Sequence, residues 1–556
     1  MKKYLILLLL LASANISFTQ VRTVGTVVFE EGTLDGYTFF SPFSGTKAYM
    51  VDNCGRLVNE WDRGTRPGLA AYFLNDGLML RTYKPNPIGP FVSASNSGGL
   101  ELVDWNNEVV WNYNLNTNTE LSHHDAVRMP NGNILMLTWE LIFEADLIEL
   151  GRDPNEIAPQ GFAWNERIIE VEPIGPNEAN IVWEWRIRDH YIQDLDETKS
   201  NFGVVSEHPE LFDINLPDLN SSNSHSNLDY NHFNAIDYHE DLDQILISVR
   251  NSDEIWIIDH STTTEEAASH EGGRYGKGGD ILYRYGNGSA YQRAQVGDQK
   301  LFGQHGVHWI RNGVHENKIL LFNNGNGRVP QDYSTVEIIE PIQNEDGSYP
   351  LPESDPFGPD GPDWIYGDEF ADRFYSAFLS NAQALDNGNI LINSGSPGDV
   401  FEVNMEKEIV WHYVIPLFGD FPATQGQNVG NNSNFRAYKF SKDFEGFNDI
   451  DVIAGDPIEQ NPDLFDCDLL NPVFTLPEAQ ELHIINEHDQ LIINSEVEAW
   501  SLSLYDVHGN RHYSTDRITK GHIINTSHLS SGIYFISIRN KQDAWQSKKV
   551  FIQPGR

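Results

Sequence analysis

Hydrophobic residues along this chain come in short runs rich in Ile, Leu, Val, Trp and Tyr, separated by polar turns, and helical periodicity is nearly absent. Asn131-Gly132-Asn133 precedes ILML, and Asn387-Gly388-Asn389 precedes ILIN. Weaker copies are Asp76-Gly77 before LML, Asp243-Gln244 before ILIS and Asn317-Lys318 before ILLF. The runs that close the same phrase carry aromatic residues: RLVNEW ending at Trp61, EVVWNY at Tyr113, NIVWEW at Trp185, DILYRY at Tyr285 and EIVWHY at Tyr413. β-branched and aromatic runs bounded by Asn-Gly turns predict hairpins. Copies near 37–62, 70–113, 124–186, 232–285, 305–340 and 377–413 predict an all-β chain, with a six-bladed β-propeller over 20–470. The extra stretches 141–165, 190–230 and 342–372, polar and rich in Pro and Asp, are expected as loops over one face.

The character changes near the end. LIINS, WSLSLYDV, HIINTS, GIYFISI and KKVFI follow from Leu491, with turn signals at His508-Gly509-Asn510 and Ser530-Ser531-Gly532. They predict a small C-terminal β-sandwich within 471–556, joined through the Pro-containing stretch Pro472 to Pro477. At the other end, Lys2 and Lys3 precede the apolar run Leu5 to Leu11, which is too short to span a bilayer. Residues 1–19 therefore read as a secretory signal peptide. Ala12-Ser13-Ala14 offers one cleavage site and the position before Gln20 another. No second long apolar run follows, so an exported protein without a transmembrane segment is expected.

The 556 residues carry a formal charge of −44. This argues against nucleic-acid and anionic-membrane partners, whose phosphates need clustered Lys and Arg. Two cysteines, Cys54 and Cys467, are too few and too distant for zinc or iron–sulfur spacing. They either pair in an oxidising compartment or remain two buried thiols.

Three of the repeats open with a histidine: His124 in HDAVRMPNGNILML, His232 in HFNAIDYHEDLDQILIS and His305 in HGVHWIRNGVHENKILLF. In a propeller the innermost strands run the same way, so residues at their starts converge on one mouth of the central channel. Arg250 ends the run ILISVR, the hairpin partner of the strand that His232 opens, and so belongs beside His232. Asn234, two residues beyond His232, falls on the same side of that strand. A lone histidine at a strand start is more often a capping or core hydrogen-bonder than a catalyst. Three at equivalent positions, with an arginine in an acidic chain, point to a functional pocket. Three histidines also suit zinc, but an arginine beside them repels a dication and favours an oxyanion such as sulfate, sulfonate or phosphate.

The phrases HHDAVRMPNGNILML, HFNAIDY with SVRN, FGQHGVHWI, FNNGNGR and SNAQALDNGNILINSG followed by VFEVN resemble the bacterial arylsulfate sulfotransferases over roughly 40–440. That resemblance implies ping-pong transfer of a sulfuryl group from an aryl sulfate donor to a phenol acceptor. It implies neither a nucleotide donor nor any cofactor, with no metal among the site residues. By motif, His305 would be the nucleophile that becomes a sulfohistidine, with His124, His232 and Arg250 as the other catalytic groups. Asn234 and His123 would contact substrate. Strand alternation puts adjacent His123 and His124 on opposite faces. His124 is preferred because it directly precedes Asp125, as in the family phrase. The extra N-terminal β domain that pairs subunits in the enteric type has no counterpart, so a dimer is not carried over.

SLYDVHGN at 503–510, LSSGIYFISI at 529–538 and KKVFI at 548–552 resemble the sorting domain of the type IX secretion system. The resemblance implies that machinery as a partner, and export through the periplasm and across the outer membrane to the surface or medium. A carbohydrate-binding sandwich is the other reading of this segment. Gly272 to Gly278, GGRYGKG, lacks phosphate-loop spacing and has Gly where Ser or Thr should follow the Lys. Two rival functions stay open: a non-catalytic surface propeller that binds sulfated or phenolic ligands or a protein, and an aryl-sulfate hydrolase.

Overall fold

The computed structural model describes residues 22–463 except 87–88, 217–227 and 372, together with 465, 483–487, 490–494, 499–506, 511–515, 522–530, 532–540 and 545–552. The predicted targeting segment 1–19 and the linker around Pro472 to Pro477 lie outside the described residues. The chain divides into two compact units, Met1–Asn471 and Pro472–Arg556.

Among the described residues of the larger unit, six antiparallel sheets of four or five strands form a propeller-like ring, and two further sheets have two short strands each. The second sheet runs outward through Pro67–Phe73, Met79–Tyr83, Gly99–Val103 and Val109–Asn114. The third is Glu120–Arg128, Ile134–Phe143, Phe162–Ile174 and Glu178–Arg186. Phe233–His239, Gln244–Val249, Glu254–Asp259 and Ile281–Tyr285 form the fourth. The fifth is His305–Trp309, Ile319–Asn323, Thr335–Ile339 and Trp364–Tyr366. The sixth takes Asn381–Ala384, Ile390–Ser394, Asp399–Val403 and Ile409–Val414, and adds Gly25–Phe29 at its outer edge. The first sheet is composite: Gly36–Pro42, Lys47–Asp52 and Leu57–Asp62 receive their inner strand, Asn434–Ser441, from the far end of the unit. The inner strands pack against one another in succession around the circle.

Three expectations are corrected here. The copy at 37–62 holds only the outer strands of its sheet, because the fourth strand is supplied after residue 433 and closes the ring. The stretch 342–372 is not all loop, since Trp364–Tyr366 is the outermost strand of the fifth sheet. Residues 141–165 extend a hairpin in register to Phe143↔Phe162 and enclose a short helix, Glu144–Glu149. There the apolar side chains Ile142, Leu147 and Ala163 form a small buried cluster that a polar loop would lack.

The repeated phrases explain the ring. At the turns, Gly132 and Gly388 adopt φ of +91° and +86°, a region open to glycine at little steric cost. The Asn after each glycine turns inward, Asn133 to Glu170 at 2.5 Å and Asn389 to Glu402 at 2.6 Å, pinning the hairpin to its third strand. The tryptophans of the outer strands lock one sheet to the next. Trp61 donates its indole N–H to the Asp104 carbonyl, Trp111 to Glu178 and Trp411 to Asn53, each at 2.8–2.9 Å. Each indole thus buries a large apolar ring and satisfies its single donor.

The smaller unit holds a three-stranded and a four-stranded antiparallel sheet among its described residues. Leu491, Ile493, Leu502, Leu504, Ile524, Ile536 and Ile552 from the two sheets share one apolar core. Cys54 is disulfide-bonded, which sets aside the buried-thiol alternative; the only other cysteine in the sequence, Cys467, lies outside the described residues. No helix among the described residues is long and apolar enough to cross a membrane.

Candidate active site

The inner strands break register near their starts, and this break builds the site. Pairing shifts between Met136 and Thr138 opposite His123–Asp125, between Phe233 and Ala235, between His305 and His308, and between Phe40 and Pro42 opposite Phe435 and Arg436. Such bulges bend a strand and re-aim its side chains. His124 and His232 both sit in the left-handed region, at φ +45° and +57°. Non-glycine residues there cost on the order of 1 kcal/mol or more and cluster at functional sites. In the next sheet, the residue after His305 is Gly306, at φ +63°.

The structure brings the three predicted histidines together. The His124 and His232 rings lie 4.6 Å apart, near perpendicular, and both His124 and His305 lie 6.4 Å from the Phe435 ring. Burial, and then repulsion from His232, His123, His305 and Arg436, hold the His124 pKa well below the ordinary imidazole value. His124 therefore works as a neutral imidazole.

His305 is fully framed. Its Nδ1 lies 2.7 Å from Asn324 Oδ1 and 2.9 Å from the Gly303 carbonyl. Asn324 spends its amide N–H groups on the carbonyls of Ser376 and Leu379, so its oxygen must face the ring. Nδ1 is then the protonated nitrogen, and Nε2 carries the lone pair. Burial, followed by the positive charge of Arg250, lowers the His305 pKa to about 3. The ring stays neutral across the physiological range.

Arg250 stands where the hairpin argument placed it. The strand ends at Val249, and the Arg250 N–H donates to the His232 carbonyl at 3.1 Å. Its guanidinium also donates to Asn251 Oδ1 at 3.1 Å. His232 Nδ1 pairs with Asp229 Oδ2 at 2.5 Å. Asn234 is buried beside this group, and its Oδ1 has no hydrogen-bond partner among the described residues. Its Nδ2 donates to the Gln304 carbonyl at 2.8 Å, tying the fourth sheet to the residue before His305.

His123 and His124 are not separated by alternation. The bulge brings their Nδ1 atoms to 2.8 Å, with His123 stacked at 4.0 Å on Trp139. His123 Nε2 lies 3.0 Å from Glu166 Oε2, so its Nδ1 is the acceptor for the His124 Nδ1–H. His124 faces His232, and His123 orients it from behind. His308 is held separately, with Nδ1 against the Gly306 carbonyl at 3.0 Å.

Sequence reading missed Arg436. It lies on the ring-closing strand and pairs with Asp125 at 2.7 Å, donates to the Tyr72 hydroxyl, and stacks at 4.6 Å over Phe435. Tyr72 donates to the other oxygen of Asp125 at 2.5 Å. Asp125 also accepts the Ile236 N–H at 3.1 Å. These contacts join the first four sheets across the middle of the ring. An arginine in an acidic chain is the available signal, but its segment follows the last repeated copy and matches none of them. Asn324 stood inside the quoted FNNGNGR phrase without a role, and Glu166 and Asp229 carried no sequence signal.

Residues 89–344 match the arylsulfotransferase (ASST) family model, and residues 487–553 match that of the secretion system C-terminal sorting domain. The first match contains His123, His124, His232, Arg250, His305 and Asn324; Tyr72 and Arg436 lie outside it. No curated protein matches the chain. Similar solved structures include a protein of unknown function from Bacteroides caccae, 10% identical, with 68% of this chain and 93% of that one aligned at a TM-score of 0.36. A catalytically inactive virginiamycin B lyase from Staphylococcus aureus is 12% identical, with 72% and 87% aligned at 0.32. The Cps50 (Swd1) β-propeller domain from Myceliophteria thermophila is 9% identical, with 71% and 88% aligned at 0.30.

Proposed function

We propose that this protein is an exported aryl-sulfate sulfotransferase: a six-bladed β-propeller that carries the reaction, followed by a β-sandwich sorting domain. The arylsulfotransferase match supports the enzyme class and small-molecule substrates, and the sorting-domain match supports export to the surface or medium. The observation that carries the mechanism is His305, neutral, with Nδ1–H held by Asn324 and Gly303 and the lone pair left on Nε2.

In the first half-reaction, His305 Nε2 attacks the sulfur of the aryl sulfate. The N–S bond forms as the S–O(aryl) bond breaks, and the phenolate leaves with the bonding pair. The intermediate is an N-sulfonated imidazolium that keeps its Nδ1 proton. Asn324 and the Gly303 carbonyl stabilise that proton as positive charge grows on the ring. Arg250 neutralises the sulfuryl oxygens. His232, backed by Asp229, supplies a proton to the departing phenolate and recovers one from the incoming phenol. The phenol oxygen then attacks sulfur, and Nε2 takes back its electron pair. His124 gives a neutral hydrogen-bonding wall, with its tautomer set through His123 and Glu166.

The test is incubation of the purified protein with a chromogenic aryl sulfate, with and without a phenol, in wild type and His305→Ala. Phenol-dependent release that vanishes in the variant supports transfer through this histidine. Acceptor-independent release makes the protein a hydrolase, and no release from several aryl sulfates makes it a binding propeller.

A further inference from the structure

A second cluster lies outside the ring's mouth, where the third and fourth sheets meet at their outer strands. His190 follows the outermost strand of the third sheet, Asp280 immediately precedes the outermost strand of the fourth, and His270 sits on the glycine-rich loop before it. One ligand atom from each lies within 4.8 Å of the others, the only such group of three or more His, Cys, Asp or Glu residues among the described residues.

The hydrogen bonds fix how these groups face each other. His190 Nε2 lies 2.9 Å from the Ala267 carbonyl, which can only accept, so Nε2 carries a proton. Its Nδ1 faces Asp280 Oδ1 at 2.8 Å, a contact that needs either a proton or a cation between the two atoms. His270 brings its own Nδ1 to 2.7 Å from that same oxygen. His190 is stacked on Trp185, with ring planes 4° apart, and Trp185 donates to the Gly279 carbonyl at 2.7 Å. Two ligands are thus buried and oriented by outer partners, while His270 is 59% exposed and leaves one side open to water. A proton on His190 would satisfy the His190–Asp280 pair alone. The third side chain, carried to the same oxygen by a loop with little apolar content, completes a chelate.

We propose that His190 Nδ1, His270 Nδ1 and Asp280 form a structural site for a divalent transition cation of the zinc class, with water completing its shell. Imidazole and carboxylate suit zinc, and a ligand imidazole whose other N–H is held by a carbonyl is the usual supporting arrangement. Bonds of about 2.0–2.2 Å to a common ion separate ligand atoms by roughly 3.3 Å. The side chains therefore open by about half an ångström on binding. The ion staples the 268–280 loop, and with it the edge of the fourth sheet, to the third sheet.

Full-length protein stripped with a chelator and desalted is titrated with zinc by calorimetry, and with cobalt(II) by visible absorption. Wild type and His305→Ala each bind one zinc at this site, show cobalt d–d bands and melt at a higher temperature with zinc. His270→Ala, at an exposed position, binds at least tenfold more weakly and loses both the bands and the thermal shift; Asp280→Asn does the same. Absence of zinc binding in wild type, equal binding in wild type and His270→Ala, or loss of the zinc in His305→Ala overturns the proposal.

Discussion

His305 and His260 are both largely buried imidazoles of one ring of sheets, and their surroundings drive them to opposite charge states. At the mouth, His305 meets the neutral amide of Asn324, a backbone carbonyl and the positive Arg250, so burial prevails and its pKa falls to about 3. At the opposite rim, between the third and fourth sheets, His260 lies 2.7 Å from Asp243 and 3.1 Å from Glu170. Burial opposes its charge there as well, but the two carboxylates outweigh it and raise the pKa to about 9. Depth alone does not decide a buried histidine; the partner does. A nucleophile needs the first setting and a structural ion pair the second.

The strongest break of this contrast is His305→Ala. It should lower sulfuryl transfer by about a thousandfold or more, with an unchanged circular dichroism spectrum; residual transfer near wild type would remove His305 from the chemistry. Next in size is His260→Gln. The rise from 6.5 to about 9 corresponds to about 3 kcal/mol of folding stability. Because the folded pKa is raised, that stability is complete below pH 6.5 and is lost as pH climbs through about 9. Urea unfolding should show the full gap between wild type and variant at mildly acidic pH and a shrinking gap in alkali. A gap independent of pH would refute the ion pair. His305 acts in the reverse sense: the unfolded chain takes up its proton first, so its share of stability falls as pH drops from 6.5 toward 3.

Arg250→Gln sharpens the comparison by removing the positive neighbour of His305. Transfer should fall about a hundredfold as the charge-assisted contact to the sulfuryl group is lost. The His305 titration, read by NMR of labelled imidazole, should move up from about 3 toward 6.5. A fall in rate without that movement would limit Arg250 to binding substrate. The smallest effect is expected of Asn324→Ala, which frees the ring to exchange tautomers while Gly303 still accepts from Nδ1. About a tenfold loss in kcat with little change in KM is expected, and a loss confined to KM would place Asn324 on the substrate instead.

Much of this was legible in the order of residues. The Asn-Gly turns, the tryptophan strands and the histidines that open the inner strands are local signals, and each lies where its pattern predicts. Arg250 was found beside His232 because hairpin geometry is also local. Arg436 was not, because its strand pairs with Gly36–Pro42 across almost the whole length of the larger unit. The placing of His123 and His124 on opposite faces failed because a bulge suspends the alternation on which it relied.

The sequence by itself determined the all-β character, the repeated hairpin unit and which histidines open the inner strands, since turn chemistry and strand pattern act over a few neighbouring residues. Only the tertiary structure decided which nitrogen of each histidine is free, which charges surround it and which distant strand closes the ring. Those depend on folding bringing Asn324 from the end of the neighbouring strand, Glu166 from the third strand of its sheet, Asp229 from the loop before His232 and Arg436 from the ring-closing strand, where burial turns a hydrogen bond or a charge a few ångströms away into a large shift in protonation.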